Sequence, residues 1–226
     1  HDAAQVSGLR DLQRLDTLLR LLAANTAQEV VMAHVARATS IPERSLPPYL
    51  RLLEDLYLAV HIPPWGRNLA KRAVGKPKAL LADSGLAAHL VGATQKSLTG
   101  FGRREHLGQF LEAFVAAELT KQRAWSARRF RLFHFRDSTG PEVDLVVELA
   151  GGDVIGLEVK AASTLGPSDF KGLRYLRDHL GEQFKQGAVL YTGTQELPWG
   201  DRLRALPIPA LWSGGASCGL DGGEGL

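Results

Sequence analysis

The chain has 226 residues, enough for one large domain or two small ones, and its 45% apolar and 23% charged content excludes a disordered or fibrous protein. A net charge of +3 excludes a strongly polycationic or polyanionic chain, and no apolar run approaches the roughly 20 residues that cross a bilayer. Cys218 is the single cysteine, so an intrachain disulfide or a thiolate metal centre is excluded. With no signal-peptide pattern at the start, the expectation is a cytoplasmic protein without a membrane partner.

Leucines at 9, 12, 15, 18, 19 and 22 fall at helical spacing and predict a first helix over 9–24. A second is expected over 27–38, followed by a turn, "TSIPERS", around Pro42. The third runs from Leu46 to Leu58, with Ser45 as its cap and Pro47 and Pro48 in its first turn, where a missing N–H costs little. Residues 59–83 then alternate short extended pieces with turns. Three helices and a hairpin in this order describe a winged helix-turn-helix, whose third helix would enter a nucleic-acid groove. The competing reading is a packing or dimerisation module, since the two prolines leave the start of that helix without charged side chains. "LLADSGLAAHLV" reads as a strand end and a short helix, and "GATQKSLTGFGRRE" as a polar loop separating two units.

From about residue 105 the pattern changes. Leu107, Phe110, Leu111, Phe114, Val115 and Leu119 lie on one face of a strong helix. Extended segments follow at "FRLFHFRD" and on both sides of Gly151–Gly152, then a helix at "PSDFKGLRYLRDHL" and a strand at "QGAVLYTG", with "IPALW" as a last strand. Helix, three strands, helix and strand make an α/β core with a mixed central sheet. The expected organisation is a winged-helix-like unit over 1–98, an α/β domain over 99–212 and a flexible Gly/Ser-rich tail over 213–226.

The strands around Gly151 carry charges where a sheet favours valine. A three-residue turn centred on Gly151 sets Asp144 opposite Glu158, with Lys160 on the same face, and leaves Leu145, Val147, Leu149, Ile155, Leu157 and Val159 on an apolar face. Opposed carboxylates repel. A divalent ion such as Mg²⁺ or Mn²⁺ would neutralise them, and a lysine beside it would suit phosphodiester hydrolysis. Two alternatives stand beside this: a solvated face with Lys160 paired to one carboxylate, or a two-residue turn that sends Asp144 and Glu158 to opposite faces.

"GPEVDLVVE" followed by "GLEVKAA" resembles the core motif of the PD-(D/E)XK nuclease superfamily. The resemblance implies catalytic roles for Asp144, Glu158 and Lys160, with Glu112 of "GQFLEAFVAAEL" as the upstream helical glutamate and Asp144 and Glu158 as metal ligands. Over residues 9–212 the chain also resembles the C-terminal half of a group of prokaryotic AAA-type ATPases, in which a nucleotide-binding module precedes a winged helix and a nuclease-like domain. No GxxxxGK[ST] loop is present, so the resemblance implies a C-terminal fragment that lacks the ATPase module and any ATP-dependent activity. The implied partners are DNA or RNA, that missing module, and a second copy in a homo-oligomer. The competing roles are an inactive DNA-binding or regulatory module and an oligomerisation module.

Two basic clusters, Arg67, Lys71, Arg72, Lys76 and Lys78, and Lys121, Arg123, Arg128, Arg129, Arg131 and Arg136, are candidates for phosphate contact or solvated faces. His134 and Arg136 flank Phe135 on a strand beside the motif and are candidates to line the same cleft.

Overall fold

The computed structural model describes residues 12–66, 75–99, 104–137 and 140–212. Leu9, the basic residues Arg67, Lys71 and Arg72, and the tail with Cys218 lie outside the described residues.

The first helix, α1 (Leu12–Ala24), buries Leu15, Leu18 and Leu22 on the stripe expected of it. The second is shorter than predicted. Ala27 adopts φ 61° and donates its N–H to Ala79 O, so the chain enters a two-residue strand, β1 (Gln28–Glu29), before α2 (Met32–Thr39) begins. A 3-10 turn at Glu43–Ser45 leads directly into α3 (Leu46–Asp55). The Ser45 side chain therefore makes no capping bond, contrary to expectation. Tyr57, at φ 57°, ends α3 three residues early, and the Leu58 N–H closes the turn on Leu53 O. Strands β2 (Ala59–Ile62) and β3 (Lys78–Leu81) pair antiparallel, and β1 adds to the other edge of β3. Leu18, Ile41, Leu46, Leu53 and Leu81 form the centre of this half's core.

Helix α4 (Ser84–Leu90) is capped by Asp83, whose side chain accepts the Leu86 N–H. The segment read as a polar loop instead contains α5 (Gln95–Thr99). Thr94 and Ser97 exchange side-chain and backbone hydrogen bonds there, a local cap that makes so short a helix viable.

Helix α6 (Arg104–Gln122) leads into a six-stranded sheet in the order β4–β5–β6–β7–β9–β8. Its strands are β4 (Phe130–Arg136), β5 (Glu142–Leu149), β6 (Val154–Lys160), β7 (Phe184–Tyr191), β8 (Leu197–Pro198) and β9 (Leu203–Pro207). The first three pair antiparallel, whereas β6–β7 and β7–β9 are parallel, so the sheet is mixed as expected. Helix α7 (Lys171–Leu180) makes the crossover from β6 to β7. "IPALW" is not the last strand. Ile208–Leu211 forms a 3-10 turn, and the parallel strand before it was missed.

The two helices cover opposite faces of the sheet. Ala113, Val115, Ala116, Ala117 and Leu119 of α6 pack against Leu145, Val147, Ile155, Leu157 and Val159. On the other face Leu173, Leu176 and Leu180 of α7 meet Val146, Val154 and Val189. The alanines bring α6 close to the sheet, and Phe110 turns away to join the core of the helical half. The halves also meet at the β4 edge. The Trp65 N–H donates to His134 O at 2.6 Å, the His134 N–H donates to Pro63 O at 3.0 Å, and Ile62 and Leu80 enter the α6 core.

Candidate functional site

The turn between β5 and β6 fixes the site. Leu149 N–H bonds to Asp153 O and Gly152 N–H to Leu149 O, with Gly152 at φ 87°. The loop is thus the three residues Ala150–Gly152, with glycine at the left-handed position such a loop requires. The resulting register pairs Leu145 with Leu157 and Val147 with Ile155. The apolar face predicted from alternation is the face that α6 covers.

Beyond Leu145 the alternation breaks. Phe133 pairs with Val146 but Phe135 with Val143, so β5 carries one extra residue at Asp144–Leu145, opposite His134. A bulge of this kind re-aims side chains. Asp144 Oδ2 takes the Val159 N–H at 2.8 Å, a bond the backbone ladder no longer supplies, while its Oδ1 lies 4.0 Å from Lys78 Nζ.

Glu158, from the centre of the sheet, is buried. Its Oε2 accepts from Lys160 Nζ at 2.9 Å, and the negative charge of Asp144 acts on its carboxyl. Burial first, and then the charge of Asp144, push the Glu158 carboxyl well above the ordinary range, against the pull of Lys160. For Lys160, burial opposes the charge, but Glu158 and Asp144 outweigh it and raise its pKa.

Glu112 reaches the same region from α6, and Lys78 Nζ donates to its Oε1 at 2.6 Å. Burial and Asp144 push Glu112 up to about 8, with Lys78 opposing. The structure thus brings together all four residues singled out from sequence, Glu112, Asp144, Glu158 and Lys160, and adds Lys78. In the sequence that lysine stands out only as part of a basic cluster. Its position on β3 gives no local signal of a partner on α6.

Gly172, in the first turn of α7, makes the approach possible. A Cβ there would lie 1.9 Å from Glu142 O and 2.8 Å from Glu158 Oε1.

Among the described residues no group of three or more His, Cys, Asp or Glu side chains gathers as a metal site, and Lys78 is bonded to Glu112 at 2.6 Å and lies 4.0 Å from Asp144. With Lys78 bonded to Glu112, the carboxylates left that could hold an ion are Asp144 and Glu158. Two carboxylates could suffice for Mg²⁺ or Mn²⁺, since such ions keep several water or phosphate oxygens. The repulsion of Asp144 on Glu158 is what an ion would relieve.

Other expectations resolve differently. His134 is buried, and its Nε2 donates to Lys76 O at 3.0 Å, so it packs between the halves instead of lining a cleft. Arg136 lies 3.8 Å from Glu142 and 4.0 Å from Glu29. In the second basic cluster Arg131 pairs with Glu148 and Lys121 with Glu118. The Trp65 indole also donates to Glu148, at 2.8 Å, which satisfies a buried carboxylate that sequence did not single out.

Residues 107–211 match a family model described as "Domain of unknown function (DUF4143)", and residues 1–97 match another described as "Domain of unknown function (DUF8612)". The chain is 29% identical over 184 residues to "Uncharacterized protein Rv2008c" of Mycobacterium tuberculosis and equally to "Uncharacterized protein Mb2031c" of Mycobacterium bovis. The match covers 81% of this chain but 39% of each relative. No solved structure matches. No helix among the described residues is long and apolar enough to cross a membrane.

Proposed function

We propose that the α/β half is a metal-dependent phosphodiester hydrolase of the PD-(D/E)XK kind, acting on DNA or RNA. The observation that carries this reading is the convergence of half-buried Asp144 and buried Glu158 from adjacent strands, with Lys160 bonded to Glu158 at 2.9 Å and Lys78 4.0 Å from Asp144. Two carboxylates held largely away from water beside a bulge are costly for a fold and useful for binding a cation. Asp144 and Glu158 would hold Mg²⁺ or Mn²⁺, which supplies an acidified water and offsets charge on the phosphate. Lys160, on the same strand, orients the attacking water and stabilises negative charge developing on the phosphoryl oxygens. Glu112 supports the acidic pair from α6. The helical half, three helices and a small antiparallel sheet, supports a winged helix-turn-helix reading, with α3 as the element presented to nucleic acid.

The parent protein is proposed to be an AAA-type ATPase. The chain spans 39% of the length of the relatives it matches, which leaves room for a nucleotide-binding module. A second reading, an inactive DNA-binding, regulatory or oligomerisation module of that ATPase, draws support from the pairing of Glu112 and Glu158 with lysines. Incubation of single- and double-stranded DNA and RNA with the chain and Mg²⁺ or Mn²⁺ separates the two. The hydrolase reading requires cleavage by the wild type, loss of cleavage in Lys160→Ala, and retained nucleic-acid binding in that variant. Equal cleavage by both proteins would remove it.

A further inference from the structure

We infer that Lys78 is a built-in cation that keeps the site in a low-affinity state, and that a divalent ion binds by displacing it. The inference rests on the metal-site reading above and adds a regulator to it.

Lys78 is bonded to Glu112 at 2.6 Å and lies 4.0 Å from Asp144, and the side chains of all three are about 15% exposed or less. Shielding from water makes the attraction strong. The ammonium therefore sits where a cation bridging Glu112 and Asp144 would sit. Counted fully ionised, as an ion would require, Lys78 and Lys160 set two positive charges against the three negative ones of Glu112, Asp144 and Glu158, a formal net charge of −1. Withdrawing Lys78 leaves one against three, or −2, which matches a divalent ion.

The lysine belongs to the other half of the molecule. On β3 it pairs with Glu29 of β1 and Ile62 of β2, so the small sheet holds its backbone from both sides. Ile62 continues into Pro63 and Pro64, which dock on His134 of β4. The position of the ammonium is thus set by how the helical half seats on the β4 edge. A shift of that seat would carry Lys78 away and leave three carboxylates facing Lys160. Because a seated Lys78 and a bound ion exclude each other, each weakens the other by the same factor.

The test is Mn²⁺ titration of the whole 226-residue chain by calorimetry, comparing wild type with Lys78→Gln, Lys78→Arg and Lys78→Gln/Glu112→Gln. Removing one neighbouring positive charge should tighten Mn²⁺ binding about tenfold or more in Lys78→Gln. Lys78→Arg should resemble the wild type, and adding Glu112→Gln should cancel most of the gain. Unchanged or weaker binding in Lys78→Gln, with wild-type binding that Asp144→Asn abolishes, would overturn this inference and leave the metal site standing. No Asp144-dependent binding in any protein would overturn both. A second measurement needs no Lys78 variant: acylation of Lys78 in the wild type, read by mass spectrometry, should rise on adding Mn²⁺ but not in Asp144→Asn. Labelling that stays level or falls would contradict the displacement.

Discussion

Asp144 Oδ2 accepts the Val159 N–H at 2.8 Å, so one carboxylate both extends the β5–β6 pairing and enters the acidic site. Val159 is buried, and the backbone pairing of the two strands ends at Leu145 and Leu157.

This dual role separates two substitutions. Asp144→Ala leaves a buried N–H without its acceptor and should lower stability by about 1–3 kcal/mol. Asp144→Asn keeps an oxygen in place and should lose clearly less. Urea denaturation of the three proteins checks this, and equal midpoints for Ala and Asn would show that the bond contributes nothing. The asparagine variant is accordingly the one that isolates the charge.

Gly172 sets how near α7 comes to the acidic pair. Gly172→Ala forces a Cβ against Glu142 O at 1.9 Å, and a backbone carbonyl cannot rotate away as a side chain does. The helix must shift, at a cost of about 2 kcal/mol or more. Thermal unfolding should show a marked loss of stability, whereas the same change at the open turn position Gly151 should cost much less.

His134 gives a pH dependence. Burial lowers its pKa from 6.5 to about 4, and nearby Lys78 and Arg136 act in the same direction against the pull of Lys76 O. With Nε2 donating to Lys76 O, Nδ1 is the bare nitrogen, and it has no hydrogen-bond partner among the described residues. The folded ring stays neutral while the unfolded chain takes up a proton near pH 6.5. The stability from this group is therefore full above that pH and is lost as pH falls towards about 4, by up to about 3 kcal/mol. His134→Gln should flatten this part of the profile, as chemical denaturation at pH 7, 5.5 and 4.5 would reveal. An identical slope in the variant would assign the pH dependence elsewhere.

What the sequence revealed and what it hid follow from how local each cause is. The β5–β6 register was legible because the glycine turn and the alternation from Leu145 to Val159 both constrain it. The fate of Asp144 was not, because the bulge arises from pairing with β4, a relation between strands. Lys78 was hidden for the same reason: nothing near it in the chain names Glu112 as its partner. Leucine spacing announced α1 and α3. Gln28–Glu29 became a strand only because β3 offers it an edge. "IPALW" is apolar enough for a strand, yet Leu203–Pro207 takes the edge beside β7, and Pro207 precedes and Pro209 sits within the turn that follows.

The central claim is that the facing carboxylates of β5 and β6 hold one divalent ion. Mn²⁺ binding to the wild-type chain and to Asp144→Asn, measured by calorimetry with folding checked by circular dichroism, tests it most directly. The account predicts saturable binding near one ion per chain in the wild type and its loss in a fully folded Asp144→Asn protein. Binding of equal strength in both, or none in the wild type, would contradict it.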